Sequence, residues 1–531
     1  MNTHLTIPFQ ETGYFNKIMC DYLDKKNVLS EFYNNYPNIS GFEQQIKTKW
    51  ESFPITSRNV LVSSLQNQYQ NTKGSSQTQA NINLLLQNNT FTVTTGHQLN
   101  LFTGPLYFLY KIVSAINLAK RLKIEFPDCN FVPVYWMATE DHDFEEIQYF
   151  NFKGNKIKWN RTSSGAVGKL NTNGLKEVFK AFSNQLGESA NAKKIESLFK
   201  KAYIQHDNLT DATRFLANEL FGKYGLVIID GNDKKLKQLF VPYVKEELIK
   251  STSFKKVSNT IEKLQENYKI QVNPREINLF YLDDNLRERI VFEDDLYKVN
   301  NTEITFTKEE ILQELDEFPE KFSPNVILRP LYQEVILPNL CYIGGGGELA
   351  YWFELKSYFE AVKVPFPILL LRNSVLLVTE KQSEKMKKLN ISIDDIFNKQ
   401  NKLIDNKVKS ISEINIDFSS QKEYLKNMFK ALEVLSNKTD KSFLGAVIAQ
   451  EKKQLKGIDY LEKRMLKAQK RKFNEIVSRI TVLQDALFPN QSLQERQANF
   501  SEFYLEHGES LIATLIKNLD PLKLEFDVIT L

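Results

Sequence analysis

Along most of the chain, short apolar runs alternate with stretches of helical spacing, and this alternation predicts an α/β core. Phe91–Thr94 is apolar and β-branched and reads as a buried strand. Thr95-Gly96-His97-Gln98 follows as a turn, and from Pro105 the residues Leu106, Leu109, Tyr110, Val113, Ile116 and Leu118 recur at helical spacing. Asn130–Trp136 is a second strand, where Pro133 suggests an edge position or a bulge. Gly225–Asp230 is a third, followed by an amphipathic helix through Leu248. Pro324–Arg329 reads as a strand, Gln333–Leu340 as a helix, Leu349–Phe359 as an aromatic-rich helix, and Phe366–Leu371 as a last strand ending at Arg372-Asn373-Ser374. The expected fold is a Rossmann-like parallel sheet with its chemistry at the carboxyl ends of the strands.

Other patterns surround this core. Residues 1 to 90 are mostly of helical character. Ile147, Tyr149, Phe150, Phe152, Ile157 and Trp159 alternate around Lys153-Gly154-Asn155, which reads as a β-hairpin insertion. Helices follow over 175–222, and a small antiparallel patch over 275–310. Beyond residue 380 the character becomes helical, with a capping-box-like start at Ser392-Ile393-Asp394-Asp395. Tyr424, Met428, Leu432 and Leu435 form one stripe, and a break at 437–440 follows. Leu455, Ile458, Leu461, Met465, Ala468, Ile476, Ile480, Leu483 and Leu487 then give a coiled-coil signature, with Lys472 on the seam. One continuous helix of that length would span roughly 60–70 Å at about 1.5 Å per residue, and its stripe needs a partner helix or a second subunit. The division expected is 1–90 as a helical part of the core, 91–146 as the first Rossmann half, 147–320 as insertions with part of the sheet, 321–380 as the second half, 381–488 as the coiled-coil domain and 489–531 as a return to the core.

Composition narrows the function classes. A net charge of +4 over 531 residues argues against a chain built mainly for nucleic acid. Three cysteines (Cys20, Cys129, Cys341) without a CxxC pair argue against a disulfide framework and a Cys-rich zinc site, and fit a reducing cytosol. No signal peptide is visible. Val364–Val378, the most apolar stretch, is interrupted by Pro365, Pro367 and Arg372 and is too short to span a bilayer.

Candidate chemistry gathers where strands end. Glu140-Asp141-His142-Asp143 puts three carboxylates and an imidazole directly after a strand, able to orient an ammonium or take a proton. An acidic first helical turn is the alternative reading. His97 stands where an anion or leaving group would be held, or else caps a helix. Gly344-Gly345-Gly346-Gly347 followed by Glu348 can form a backbone nest for a phosphate or carboxylate, although it is neither a Walker A loop nor GxGxxG. Arg329 and Arg372 each close an apolar run, where an Arg can grip an anion in bidentate fashion or form a structural ion pair. No metal site is expected.

These residues carry a resemblance. Thr95–Gln98 with Leu101–Tyr107, then Trp136–Phe144, Asn325–Leu331, Gly344–Trp352, Leu461–Lys472, Leu487-Phe488-Pro489 and Leu493–Arg496 resemble the cysteine ligase family of bacillithiol biosynthesis, in order along essentially the whole chain. That family is similar to class I aminoacyl-tRNA synthetases and nucleotidylyltransferases. The resemblance implies a Rossmann-type core with connecting-peptide insertions and a coiled-coil arm pairing two protomers. It also implies amide formation between cysteine and glucosaminyl-malate in the last step of bacillithiol biosynthesis, with ATP or ADP as a possible cofactor. The catalytic candidates are Asp141, His142, Asp143 and His97. Substrate or nucleotide binding falls to Gly96, Gln98, Asn100, Glu140, Arg329, Gly344, Gly345, Gly346, Gly347, Glu348, Tyr351, Arg372 and Ser374. A synthetase-like nucleotide- or RNA-binding protein and a catalytically degenerate coiled-coil scaffold are the alternatives.

Overall fold

In a computed structural model that describes residues 4–439 and 441–531, the chain forms two compact units. One runs to Leu376 and resumes at Gln494–Ile529; the other is Leu377–Leu493. The first is built on five strands: β1 (Thr90–His97), β2 (Asn130–Met137), β3 (Val227–Asp230), β4 (Asn339–Gly344) and β5 (Ile368–Leu371). They lie in the order β5-β4-β1-β2-β3, and every neighbouring pair is parallel. This is the Rossmann order, and the direction of winding reverses between β1 and β4. A crevice opens at such a point because the connections leave β1 and β4 towards opposite faces of the sheet.

Apolar and β-branched residues form these strands because both faces are covered. Phe91, Val93, Ile343 and Leu370 are buried against Ala115, Leu118 and Leu122 of helix α1 (Tyr107–Glu125). Pro133 is not at an edge. It stands opposite Val93 of β1, while β3 joins the other side only from Val134 onward. At Pro133 that side of β2 therefore needs no N–H.

Three element assignments are corrected. Pro324–Arg329 is not a strand ending at Arg329: only Phe322–Pro324 is extended, and Arg329 lies in the first turn of helix α2 (Leu328–Ile336). Asn325 Oδ1 accepts the Ile327 and Leu328 N–H groups at 2.9 and 3.3 Å, and Pro330 occupies the first turn, a combination that starts a helix even in a β-rich sequence. The expected helix Gln333–Leu340 accordingly stops at Ile336, and Asn339 opens β4. The aromatic-rich helix after the glycines is two helices, α3 (Gly346–Trp352) and Lys356–Ala361.

The insertions follow the sequence pattern. Tyr149–Phe152 and Asn155–Lys158 pair as a hairpin, helices fill 175–221, and Leu279–Asp283, Leu286–Glu293, Leu296–Val299 and Thr305–Phe306 form the antiparallel patch. Glu525–Thr530 pairs antiparallel with His4–Pro8.

The second unit is helical. Helix α4 (Ser419–Ser436) lies along α5 (Lys441–Lys472), and Lys422 bridges Asp459 and Glu462 at 2.7 and 2.5 Å. The run expected as one helix is broken: Phe473 (φ −101°, ψ 29°) separates α5 from α6 (Asn474–Leu487). The break falls beside Lys472, where the apolar seam is lost. Asp440, part of the break expected at 437–440, lies outside the described residues. Along α4, Tyr424, Met428, Leu432 and Leu435 stay exposed. Among the described residues, no helix is long and apolar enough to cross a membrane.

Candidate functional site

A two-lobed cleft lies over the carboxyl ends of β1, β2 and β4. One lobe encloses about 630 Å³ and the other about 650 Å³, each within the range typical of small-molecule sites. The first lobe receives Gly96, His97, Glu140, Asp141, His142 and Arg329. The second receives Asn100, Gly345, Gly346, Gly347 and Arg372. Gln98, Glu348 and Tyr351 border both.

The acidic wall follows directly from the end of β2. Asp141 accepts from Gln98 Nε2 at 2.9 Å and from its neighbour's backbone, His142 N, at 2.7 Å. Burial works against its ionisation, but the bonds from His142 and Gln98 and the charge of Arg287 hold the carboxyl well below the usual range. Glu140 is drawn elsewhere, pairing with Lys237 Nζ at 2.5 Å and accepting from Ser323 Oγ at 2.8 Å. Asp143 does not reach the cleft lining; it caps the short helix Phe144–Ile147.

His142 meets Arg287, whose Nη1 lies 2.6 Å from Nδ1. A guanidinium only donates, so Nδ1 accepts and the ring proton sits on Nε2. In this arrangement the imidazole has no spare lone pair; accepting a proton requires Arg287 to leave. Arg287 rests on the Phe280 ring at 3.9 Å, and Arg289 sits two residues along the same strand, hence on the same face. With Arg275 and Arg329 they bring four cations to the lining of the first lobe.

His97 is buried between Tyr107 and Phe108, and its Nε2 has no partner. Burial first, then the charge of Lys111, push its pKa well below the ordinary imidazole value, so the ring is neutral. Arg329 stacks near Trp136 and Tyr342 and has a buried Nη2 without a partner. The glycines are a strand-to-helix junction: Gly344 ends β4, and Gly346 begins α3. A Cβ on Gly344 would come within 3.0 Å of Leu349 and Tyr342, whereas one on Gly347 would meet nothing within 4 Å. Ser374 lies behind the cleft, donating to Glu495 Oε1 at 3.3 Å.

Sequence reasoning passed over Lys111, Arg287 and Lys237. Lys111 was detectable, because a lysine flanked by Tyr110 and Ile112 inside an apolar helix must have a buried partner. Arg287 was not, since the placement of the antiparallel patch over the cleft has no local signature.

A strap covers part of the cleft. Val272, Asn273 and Arg275 line the first lobe, and Gln271 and Val272 the second. Glu354, 1% exposed, accepts from Gln271 N at 3.0 Å. Burial pushes its carboxyl up to about 7 from 4.5, against the backbone bonds of Gln271 and Val272. A raised acid favours folding while protonated, so this contribution is full below pH 4.5 and is lost as pH rises through about 7. Across that window the loss is about 3 kcal/mol. Glu354→Gln is expected to flatten the dependence, read as urea melts of both proteins at pH about 5 and about 8.

Fold and cleft together define an α/β protein with a small-molecule site at the switch point of a Rossmann-type sheet, joined to a helical arm. Residues 1–373 match the family profile described as bacillithiol biosynthesis BshC, N-terminal Rossmann-like domain, and residues 375–531 match the BshC C-terminal coiled-coil domain. The chain belongs to the BshC family. It is 60% identical over 525 residues to a Flavobacterium johnsoniae protein, covering 99% of each chain. It is 59% identical to a Christiangramia forsetii protein, covering 99% of this chain and 98% of that one. Both relatives bear the name "Putative cysteine ligase BshC". A solved Campylobacter jejuni structure titled "putative arginyl t-RNA synthetase" aligns over 88% of this chain and 97% of its own, at 11% identity. Its TM-score of 0.22 is too low to carry a comparison.

Proposed function

We propose that this protein is a ligase that joins the carboxyl of L-cysteine to the amino group of glucosaminyl-malate, forming an amide in the last step of bacillithiol biosynthesis in the cytoplasm. The observation that carries this reading is the mixed charge of one cleft. Anionic Asp141 lines the same lobe as Arg275, Arg287, Arg289 and Arg329, in a chain 60% identical to a protein named "Putative cysteine ligase BshC". An ammonium fits the carboxylate and a dicarboxylate the guanidinium groups. Asp141 holds an ammonium, with Asp143 outside the lining as its support. Arg329, the Gly344–Gly347 backbone and the free Nε of Arg372 face carboxylate or phosphate. A substrate carboxylate that draws Arg287 away frees His142 Nδ1 to accept the attacking amine's proton.

Amide formation in water needs an activated acyl group, and ATP is the natural source, with ADP as its product. The test is to incubate the purified protein with cysteine and glucosaminyl-malate, with and without ATP, and weigh the products. A thiol with the mass of the amide is expected; its absence under both conditions overturns the reading.

The exposed stripe Tyr424, Met428, Leu432 and Leu435 supports a homodimer through the coiled coil. Sedimentation is expected to give twice the 61.8 kDa chain mass, and Met428→Glu with Leu432→Glu to give the monomer.

A further inference from the structure

Lys111 combines deep burial, a fixed position and an N–H left over from its two acceptors. It projects from α1, is 2% exposed, and borders both lobes. Its Nζ donates to the Gly96 carbonyl at 2.7 Å and to Glu348 Oε1. An ammonium has three N–H bonds, so one remains after these two are made. The two acceptors come from the end of β1 and the first turn of α3, the strands and helices that flank the switch point. Burial lowers the Lys111 pKa, while Glu348 opposes that shift. Glu348 in turn accepts from Tyr342 OH at 3.2 Å. The other charged groups around Nζ are Arg372 and Arg329, both cationic, and neighbouring His97 is neutral. The junction of the lobes thus holds a preorganised, charged N–H donor on a buried side chain.

Resting on the amide-forming reading above, we propose that Lys111 is a catalytic residue whose free N–H takes the negative charge that grows on the acyl oxygen where the two lobes meet. The acyl donor is a cysteine carboxyl linked to phosphate at the expense of a nucleoside triphosphate. The amine lone pair forms the new C–N bond, and the carbonyl π pair moves onto oxygen beside Nζ. That pair then returns, the bond from carbon to the phosphate oxygen breaks with its electrons, and the amine proton passes to His142. Lys111 keeps its own proton throughout. A purely structural Lys111–Glu348 pair would not need a place on both lobe walls.

The experiment compares the full-length wild type with Lys111→Met, Lys111→Arg and the double variant Lys111→Met/Glu348→Gln, using cysteine, glucosaminyl-malate and ATP, with thiol product followed by mass. Lys111→Met is expected to lose about 100-fold or more in kcat while KM for both substrates stays within a few-fold, the pattern of an interaction made only in the transition state. Lys111→Arg is expected to recover part of the loss, because it restores a charged donor. The double variant leaves no unpaired carboxylate, so it decides the question if the single variant does not fold. A variant without the ammonium that melts like wild type and turns over within tenfold of it overturns the role of Lys111. A parallel rise in KM with kcat unchanged overturns it too, since that marks ground-state binding. Wild type that makes no thiol product fails before any variant is compared, and takes the amide-forming reading and this proposal down together.

Discussion

Replacing Asp141 with Ala is expected to abolish thiol product while leaving the fold standing. The side chain is held by Gln98 Nε2 at 2.9 Å and by the backbone N–H of His142 at 2.7 Å, and these bonds aim it into the first lobe. Its depressed pKa makes it a poor proton acceptor and a permanent anion at neutral pH. Its value to the reaction is therefore to hold and orient an ammonium or to steady a cation that forms there. Loss of such a positioned charge costs on the order of 10²–10³ in rate. Asp141→Asn keeps the volume and one acceptor, and is expected to fall nearly as far in kcat because the charge carries the effect. Fold is checked by a cooperative melt, whose midpoint is expected to fall because the depressed pKa of Asp141 marks an anion that stabilises the folded state. Near-normal turnover by a folded Asp141→Ala would remove this residue from the mechanism and leave the acidic segment as a helix start. The wild-type rate is expected to hold at neutral pH with no inflection from this group, since it titrates far below that range.

What could be read in advance follows the range of the forces involved. The sheet was legible because its buried parallel strands are apolar or β-branched along their length, as in Phe91–Thr94 and Val227–Ile229, and because each run is followed by helical spacing. The acidic segment after β2 was legible for the same reason: a polar cluster directly after a buried strand has to sit at the sheet's carboxyl edge. Arg329 was misplaced because Asn325 and Pro330 start a helix within a stretch whose β-branched and apolar residues suit a strand. Arg287 and Arg289 come from the antiparallel patch, whose alternation announces strands but not the cleft they cover, and Arg275 comes from the irregular strap before it. The continuous coiled-coil helix failed at Phe473 because a mostly apolar seam was extended across Lys472, where a single charge was enough to end it. Charge pairing between distant segments, as in Lys111 with Glu348, leaves only the weak trace of one cation in an apolar helix.

Arg372 shows how an anion-binding candidate can be taken up by structure, and this gives the largest expected stability effect. Its guanidinium faces Glu495 in fork-to-fork fashion, with Nη1 and Nη2 at 3.0 and 2.7 Å from the two carboxylate oxygens. Nη1 also donates to the Asn373 carbonyl at 2.9 Å and to Ser374 Oγ at 3.0 Å. The pair is dry: Arg372 is 5% exposed and Glu495 0%. Burial pulls the Arg372 pKa down, but the charge and bonds of Glu495 more than restore it. Glu495 lies in the segment that returns to the Rossmann unit, where Asn499 Nδ2 donates to the Phe102 and Gly104 carbonyls at 2.8 and 2.6 Å. Phe102, Thr103 and Gly104 all have positive φ (47°, 68° and 62°), so this return segment also holds a strained turn after β1 in place. Glu495→Ala would strand a guanidinium in a low-dielectric site and is expected to cost about 3–5 kcal/mol. Glu495→Gln keeps one neutral acceptor and is expected to lose less. Replacing both members, Arg372→Met with Glu495→Leu, removes the uncompensated charge and is expected to return most of the stability. Urea melts of wild type, Arg372→Met, Glu495→Leu and the double variant close the double-mutant cycle, and a Glu495→Ala protein that unfolds at the wild-type midpoint would show that the guanidinium finds water. In that case Nη1 and Nη2, and not only Nε, become available to an anion in the second lobe.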